Sequence, residues 1–375
     1  MTGFRNATVL IDGKLVKTSL VIKDGKIDGF YEADGQINLP EGAIVLPGFI
    51  DEHTHGALGS DTMDANVADY KTIASQLVKE GTTAFLLTTM TASKEGIIDS
   101  IKAYNEFCSL PNDYATPVGI HLEGPFINPN KCGAQPKEYI AIPEIEAIKE
   151  YASLSNGSIK LITVAPEVDG ALEFIKFCKG LGITLTAGHT SATYEEFKKG
   201  VDSGVTCTTH TYNAMSPFTH REIGVVGGAL LEDVYNEVIA DGIHVSIPAI
   251  KLLTSLKKDK LILVTDAMRA KGVSDGESEL GGQKVYVKNG EARLADGTLA
   301  GSTLTMDKAF KNMVEKVGLT IEETAKAVSE NPAKNLGIFD EYGSIEKGKR
   351  ANLTILDNNL SVIMTVVNGK IAFSK

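Results

Sequence analysis

Eight short apolar segments recur through the middle of this chain, separated by stretches of helix-forming composition. That rhythm restricts the fold more than any other feature. The segments are 44–50, 83–88, 117–121, 159–165, 183–187, 205–209, 237–240 and 261–265, with starts about 22 to 42 residues apart. Stretches such as 66–79 and 194–199 between them carry helix-forming residues. Strands that alternate with helices in this way build βα units, and eight of them predict an α/β fold, a (βα)8 TIM-like barrel. Polar motifs fall at or just after the strand ends: Asp51-Glu52-His53-Thr54-His55, His121-Leu122-Glu123, Gly188-His189, Thr209-His210, Gly242-Ile243-His244 and Val264-Thr265-Asp266-Ala267. In such a barrel the C-terminal strand ends form the catalytic face, so this register supports the fold and locates the site together.

The two chain ends read differently. Residues 7–13, 19–25 and 26–30 are short strand patterns punctuated by Asp12-Gly13 and Asp24-Gly25, a strong hairpin signal. Residues 343–357 and 363–370 repeat that style. We therefore expect residues 1–48 and 343–375 to build one small β-sandwich domain around a barrel spanning 49–342. Residues 281–298 read as a hairpin inserted in the barrel, turning at Asn289-Gly290.

Charge and composition exclude several classes of function. A net charge of −11 argues against non-specific binding to nucleic acid or an anionic membrane. It leaves room for an anionic small substrate held by a few local donors. The first residues lack a basic segment followed by a long apolar one, and no apolar run approaches the roughly 18 residues that span a bilayer. The four cysteines, Cys108, Cys132, Cys178 and Cys207, fit no zinc-knuckle or redox spacing, so reduced thiols in a cytoplasmic protein are expected.

Six of the seven histidines belong to the polar motifs, and only His220 lies outside them. Histidine is the commonest metal-ligating side chain. His53 and His55 stand at i, i+2 on a strand, which turns both rings to one side and lets them converge on one cation. Glu123 follows the third strand, His189 the fifth and His210 the sixth. One carboxylate with two imidazoles leaves coordination open, as in a catalytic metal site. Asp266, after the eighth strand, suits a general base, although an Asp there can also cap the next helix.

These motifs resemble the amidohydrolase superfamily and, within it, the N-acetylglucosamine-6-phosphate deacetylase family. The resemblance runs over nearly the whole chain through residues 47–56, 121–126, 188–190, 209–215, 240–244, 264–267 and 299–302. It implies Glu123, His189 and His210 as ligands of a divalent metal ion such as zinc or iron, with Asp266 as acid and base. It implies sugar-phosphate contacts from Ala134, Gln135, Asn213, Ala214, Arg221, His244, Leu299, Ala300, Gly301 and Ser302. A homodimer whose neighbouring subunit helps hold the phosphate is also implied. Because His53 and His55 are intact, a second metal bridged by Glu123 is expected, giving one or two ions per subunit. Gln135 stands where some members have histidine, and it can donate a hydrogen bond but no charge. No lysine follows the fourth strand in 163–167, which disfavours relatives built on a carboxylated lysine.

The expected reaction is hydrolytic deacetylation of N-acetylglucosamine 6-phosphate, an amino-sugar phosphate, to glucosamine 6-phosphate and acetate in amino-sugar catabolism or wall recycling. Two alternatives stand beside it: the same chemistry on the galacto epimer, and a non-catalytic scaffold of the same fold.

Overall fold

The structure is a computed structural model and describes residues 2–111 and 113–375. Eight parallel strands form the central sheet: β1 (Phe49–Thr54), β2 (Thr82–Thr89), β3 (Thr116–Glu123), β4 (Ile159–Val164), β5 (Thr184–Ala187), β6 (Val205–Thr208), β7 (Tyr235–Ile239) and β8 (Leu261–Val264). Each pairs with its sequence neighbour, so the sheet runs in order from β8 to β1. The barrel closes past the strand ends. Thr54 and Ala267 bridge in parallel, the Asp266 N–H donates to His53 O at 2.8 Å, and the His55 N–H donates to Ala267 O at 2.9 Å. Asp51 staples the same seam, accepting the Thr265 hydroxyl at 2.6 Å. The seam of the barrel is thus made by the segments that carry His53, His55 and Asp266.

Helices surround the sheet, and their starts are legible in local sequence. Asn66 caps the helix Val67–Leu77 by accepting from the Asp69 N–H, and Thr193 with Glu196 forms a capping box at Tyr194–Ser203. Apolar helix faces pack on the outward-facing strand residues, as where Phe49 stacks on Phe310 with ring centroids 5.3 Å apart. At the bottom of the barrel, Ile50, Ala84, Leu86 and Leu161 meet Ala333, Leu336 and Tyr342 in one cluster. That apolar plug leaves the opposite mouth as the open end.

The chain ends form a second sheet, ordered Lys370–Ser374, Val362–Val367, Leu353–Leu356, Ile44–Pro47, Gly3–Ile11, Lys14–Lys23 and Lys26–Gly29, with the short Ile37–Asn38 beside Gly3–Ile11. It encloses a core of residues such as Phe4, Val9, Leu20, Val45, Leu353 and Val366. The hairpin turns at Asp12-Gly13 and Asp24-Gly25 both adopt paired positive φ angles, 48° and 71°, then 50° and 77°, as type I′ turns require.

Two expectations need correction. The apolar run 44–50 is not one barrel strand: Ile44–Pro47 pairs in the terminal sheet, and only Phe49–Thr54 enters the barrel. Pro47-Gly48 breaks the run, and apolarity alone cannot tell which core a strand fills. The inserted hairpin has a third strand, Gly276–Leu280, ahead of Gln283–Lys288 and Glu291–Arg293. Its polar Gly-Glu-Ser-Glu sequence hides it from a search for apolar alternation.

Candidate active site

His189, His210 and Asp266 share a structural device. Each sits two residues beyond its strand and adopts a left-handed backbone, with φ of 47°, 32° and 48°. Non-glycine residues rarely adopt this conformation, and holding it is characteristic of functional sites. The turn directs each side chain back over the barrel mouth. Glu123 arrives differently, as the last residue of β3, and His53 projects from β1 with His55 just beyond it.

Three ligand atoms then converge. Glu123 Oε1 lies 3.1 Å from His189 Nε2 and 3.0 Å from His210 Nε2, and the two ring nitrogens are 3.1 Å apart. His189 Nδ1–H donates to the Lys131 carbonyl at 2.8 Å, which leaves the lone pair of neutral His189 on Nε2, toward Glu123. Three such atoms repel one another unless a proton or a cation sits among them. Ligands held about 2 Å from one ion show spacings of this order.

A second group adjoins the first. His55 Nε2 lies 3.2 Å from Asp266 Oδ1 and 3.2 Å from Glu123 Oε2, while His53 Nε2 lies 3.5 Å from Asp266 and 3.4 Å from Glu123 Oε1. His55 Nδ1–H donates to the Thr88 carbonyl and His53 Nδ1–H donates to Glu237, so both Nε2 atoms are turned toward the carboxylates. The His53 Nε2 atom is buried without a hydrogen bond. Glu123 thus faces both groups, with Oε1 toward His189, His210 and His53 and Oε2 toward His55. The donor set and its orphaned lone pairs fit a divalent cation in the first group and allow another in the second.

The electrostatics agree. Burial opposes charge on His53, but the carboxylates of Glu123, Glu237 and Asp266 outweigh it and hold its pKa well above the ordinary value. Burial likewise opposes charge on His55, yet its bonds to Asp266 and Glu123 raise it to about 10. Glu123 and Asp266 are pushed up by burial and pulled further down by the histidines, ending below the usual carboxylate range. The site therefore draws positive charge, which a metal ion would supply in exchange for protons. His121 behaves in the opposite sense: burial and the neighbouring His53 hold it well below its usual pKa, and it bonds Thr163 Oγ1 at 2.8 Å as a neutral structural ring.

A cavity of about 320 Å³ opens over these groups, and Ala134, Gln135, Asn213, Ala214, His244, Leu299 and Gly301 line it with His55, Glu123, His189, His210 and Asp266. Three residues expected at the substrate fall elsewhere. Ala300 is buried in an apolar cluster, the Ser302 hydroxyl donates to Thr265 O at 2.6 Å, and Arg221 is exposed outside the cavity lining. Gln135 is already engaged at both ends: Nε2 donates to Glu123 Oε2 at 2.6 Å, and Oε1 accepts from the Thr91 N–H at 2.8 Å. His244 is oriented by Asp241, whose Oδ2 accepts Nδ1–H at 2.7 Å.

Sequence reasoning passed over Glu237 and Asp241. The signal for Glu237 was an acid within an apolar strand, and it is fully buried beside His53. Glu167 is a third omission, accepting from Asn128 Nδ2, the Thr190 hydroxyl and the Ser191 N–H to brace the loop that carries His189.

Comparison with known proteins places this geometry. The chain is 42% identical to the N-acetylglucosamine-6-phosphate deacetylase of Bacillus subtilis strain 168, over 98% of this chain and 96% of that protein. It is 34% identical to the N-acetylgalactosamine-6-phosphate deacetylase of Escherichia coli O157:H7, over 96% of each. Its fold matches a mutant N-acetyl-D-glucosamine-6-phosphate deacetylase from Mycobacterium smegmatis, solved in complex with N-acetyl-D-glucosamine-6-phosphate, with a TM-score of 0.92, 31% identity and 98% of both chains covered. Residues 44–372 match the amidohydrolase family, and the chain belongs to that family.

Proposed function

We propose that the protein hydrolyses the acetyl amide of N-acetylglucosamine 6-phosphate, releasing glucosamine 6-phosphate and acetate in amino-sugar catabolism. The observation that carries this reading is the convergence of Glu123, His189 and His210 beside Asp266 at the floor of one cavity, in a chain similar to deacetylases of this substrate. Glu123, His189 and His210 would hold one divalent ion, zinc or iron, with His53, His55 and Asp266 placed for a second. Such an ion polarises the amide carbonyl and makes a water acidic enough to attack near neutral pH.

Asp266 takes the proton of the attacking water on its carboxylate and returns it to the departing amine nitrogen. Burial pushes its pKa up, but His53 and His55 pull it below the ordinary value, so the carboxylate is unprotonated at neutral pH. Gln135 fixes Glu123 through its amide, and His244, oriented by Asp241, contacts the substrate. Asn213, Ala214, Ala134, Leu299 and Gly301 frame the sugar. Arg221 would reach phosphate across a homodimer. The galacto epimer is the second reading, favoured by the similarity to the E. coli O157:H7 protein.

The proposal also divides the chain at 48/49 and 342/343, supported by the separate hydrogen bonding of the two eight-stranded sheets. It places the protein in the cytoplasm, in keeping with four free cysteines. Among the described residues, no helix is long and apolar enough to cross a membrane.

The test is acetate release from N-acetylglucosamine 6-phosphate, its galacto epimer and the unphosphorylated sugar, using metal-analysed protein and Asp266→Asn. Turnover confined to the phosphorylated gluco sugar, falling about 10²–10⁴-fold in the variant, supports the reading. Metal-loaded protein silent on all three sugars refutes it.

A further inference from the structure

Glu237 stands on β7, fully buried, against both groups of candidate ligands. One oxygen, Oε2, accepts from His53 Nδ1 at 3.0 Å and from the backbone N–H of His210 at 3.0 Å. The Glu237 carbonyl accepts from the Thr211 N–H at 2.8 Å, one residue further along the same turn. The other carboxylate oxygen, Oε1, is buried without a partner, and Glu237 shares a buried group with Glu52 and Cys207.

We propose that Glu237 is a positioning residue that couples the two groups of ligands. Its bond to His53 settles the ring's tautomer and points Nε2 at Glu123 and Asp266. Its bond to the His210 N–H holds the left-handed turn that presents that ring to Glu123 and His189. A carboxylate behind a ligating histidine orients the ring and raises its basicity, and losing such a partner typically weakens metal binding 10–100-fold. Here one oxygen serves a ring from one group and the backbone of the other, so a single side chain adjusts both. The inference rests on the reading that these groups hold divalent cations.

Glu237→Gln and Glu237→Ala separate positioning from charge. A glutamine can place its oxygen where Oε2 stands and keep both donors, while its amide nitrogen fills the place of the unpartnered Oε1. Alanine removes the acceptor. The full chain, stripped of metal with a chelator, is titrated with Zn(II) and with Co(II). Elemental analysis gives the stoichiometry, chelator competition the affinity, and the visible Co(II) spectrum the ligand geometry. Circular dichroism and melting check the fold.

Wild type and Glu237→Gln should agree within about tenfold in affinity and share a Co(II) spectrum, whereas Glu237→Ala should lose 10–100-fold and change that spectrum. A folded Glu237→Ala that matches wild type in affinity and spectrum overturns the inference, as does an equal loss in Gln and Ala. Should the alanine variant not fold, Glu237→Asp, which withdraws the acceptor by one methylene, decides in its place: unchanged affinity overturns the inference, and an intermediate loss supports it. Wild-type protein that binds neither Zn(II) nor Co(II) overturns the metal reading itself along with the inference.

Discussion

Lys271 lies five residues past Asp266, is fully buried, and places its Nζ 3.2 Å from Glu80 Oε2. Glu80 also accepts from Gln76 Nε2 at 3.2 Å and from the Met306 N–H at 3.3 Å. The informative perturbation is Lys271→Met, which keeps an unbranched side chain and deletes the charge. Breaking a buried pair costs about 3–5 kcal/mol because the remaining ion is uncompensated. Two neutral donors stay with Glu80, so the lower end, about 3 kcal/mol, applies. With an unfolding entropy near 0.8 kcal/mol/K for a 375-residue chain, that is a fall of about 4 °C in Tm.

The pH dependence follows from the direction of the Glu80 shift. Burial already raises its pKa, against the pull of Lys271, so removing the lysine raises it further. A carboxyl raised in the folded state contributes stability that is complete below its unfolded pKa, about 4.3, and is lost as pH rises through the folded value. The deficit of Lys271→Met should therefore be largest at pH 7–8 and shrink toward pH 5. Adding Glu80→Gln should recover most of it. Melting and urea unfolding of wild type and the two variants at pH 5 to 8 provide the assay. Activity per folded molecule should hold, because Asp266 keeps its own backbone bonds to His53 and Ser302. Equal stability of Lys271→Met and wild type at pH 8, or a deficit that does not narrow at low pH, refutes the reasoning.

Metal affinity should rise with pH, because the ligating form of His55 is deprotonated and its pKa is raised to about 10 by Asp266 and Glu123. Calorimetry in buffers of different ionisation heat should show proton release on Zn(II) binding at pH 7, and no release would contradict the assigned ligand. Asp241→Ala, which frees His244 from its 2.7 Å bond, should raise KM for the phosphorylated sugar roughly tenfold with kcat less affected. Steady-state kinetics on phosphorylated and unphosphorylated sugars check this, and an unchanged KM would remove His244 from the substrate contacts.

Much of the architecture was legible from local pattern. Apolar strand segments, the polar motifs behind them and the Asp-Gly turns all depend on neighbours a few residues apart, and the barrel order follows from them. Errors arose where a segment's partner decides its fate. Ile44–Pro47 reads as a barrel strand until Leu353–Leu356 pairs with it, and Gly276–Leu280 reads as loop until Gln283–Lys288 does. At the site, the types of the candidate ligands were visible, while Ala300 packs into an apolar cluster with Met90 and Met268 and the Ser302 hydroxyl is taken by the Thr265 carbonyl.

The sequence by itself determined which residues can ligate, which can move a proton, and the strand end from which each departs, because period and turn chemistry are short-range. Tertiary structure alone decided that Glu123 faces two groups at once, that Glu237 braces His53 and the His210 turn, and that Gln135 is committed to Glu123. Glu237 stands 184 residues from His53, and His210 stands 87 from Glu123. Contacts at such separations exist only once the sheet closes on itself, and that closure rests on bonds made by the site's own segments, from Asp266 to His53 and from His55 to Ala267.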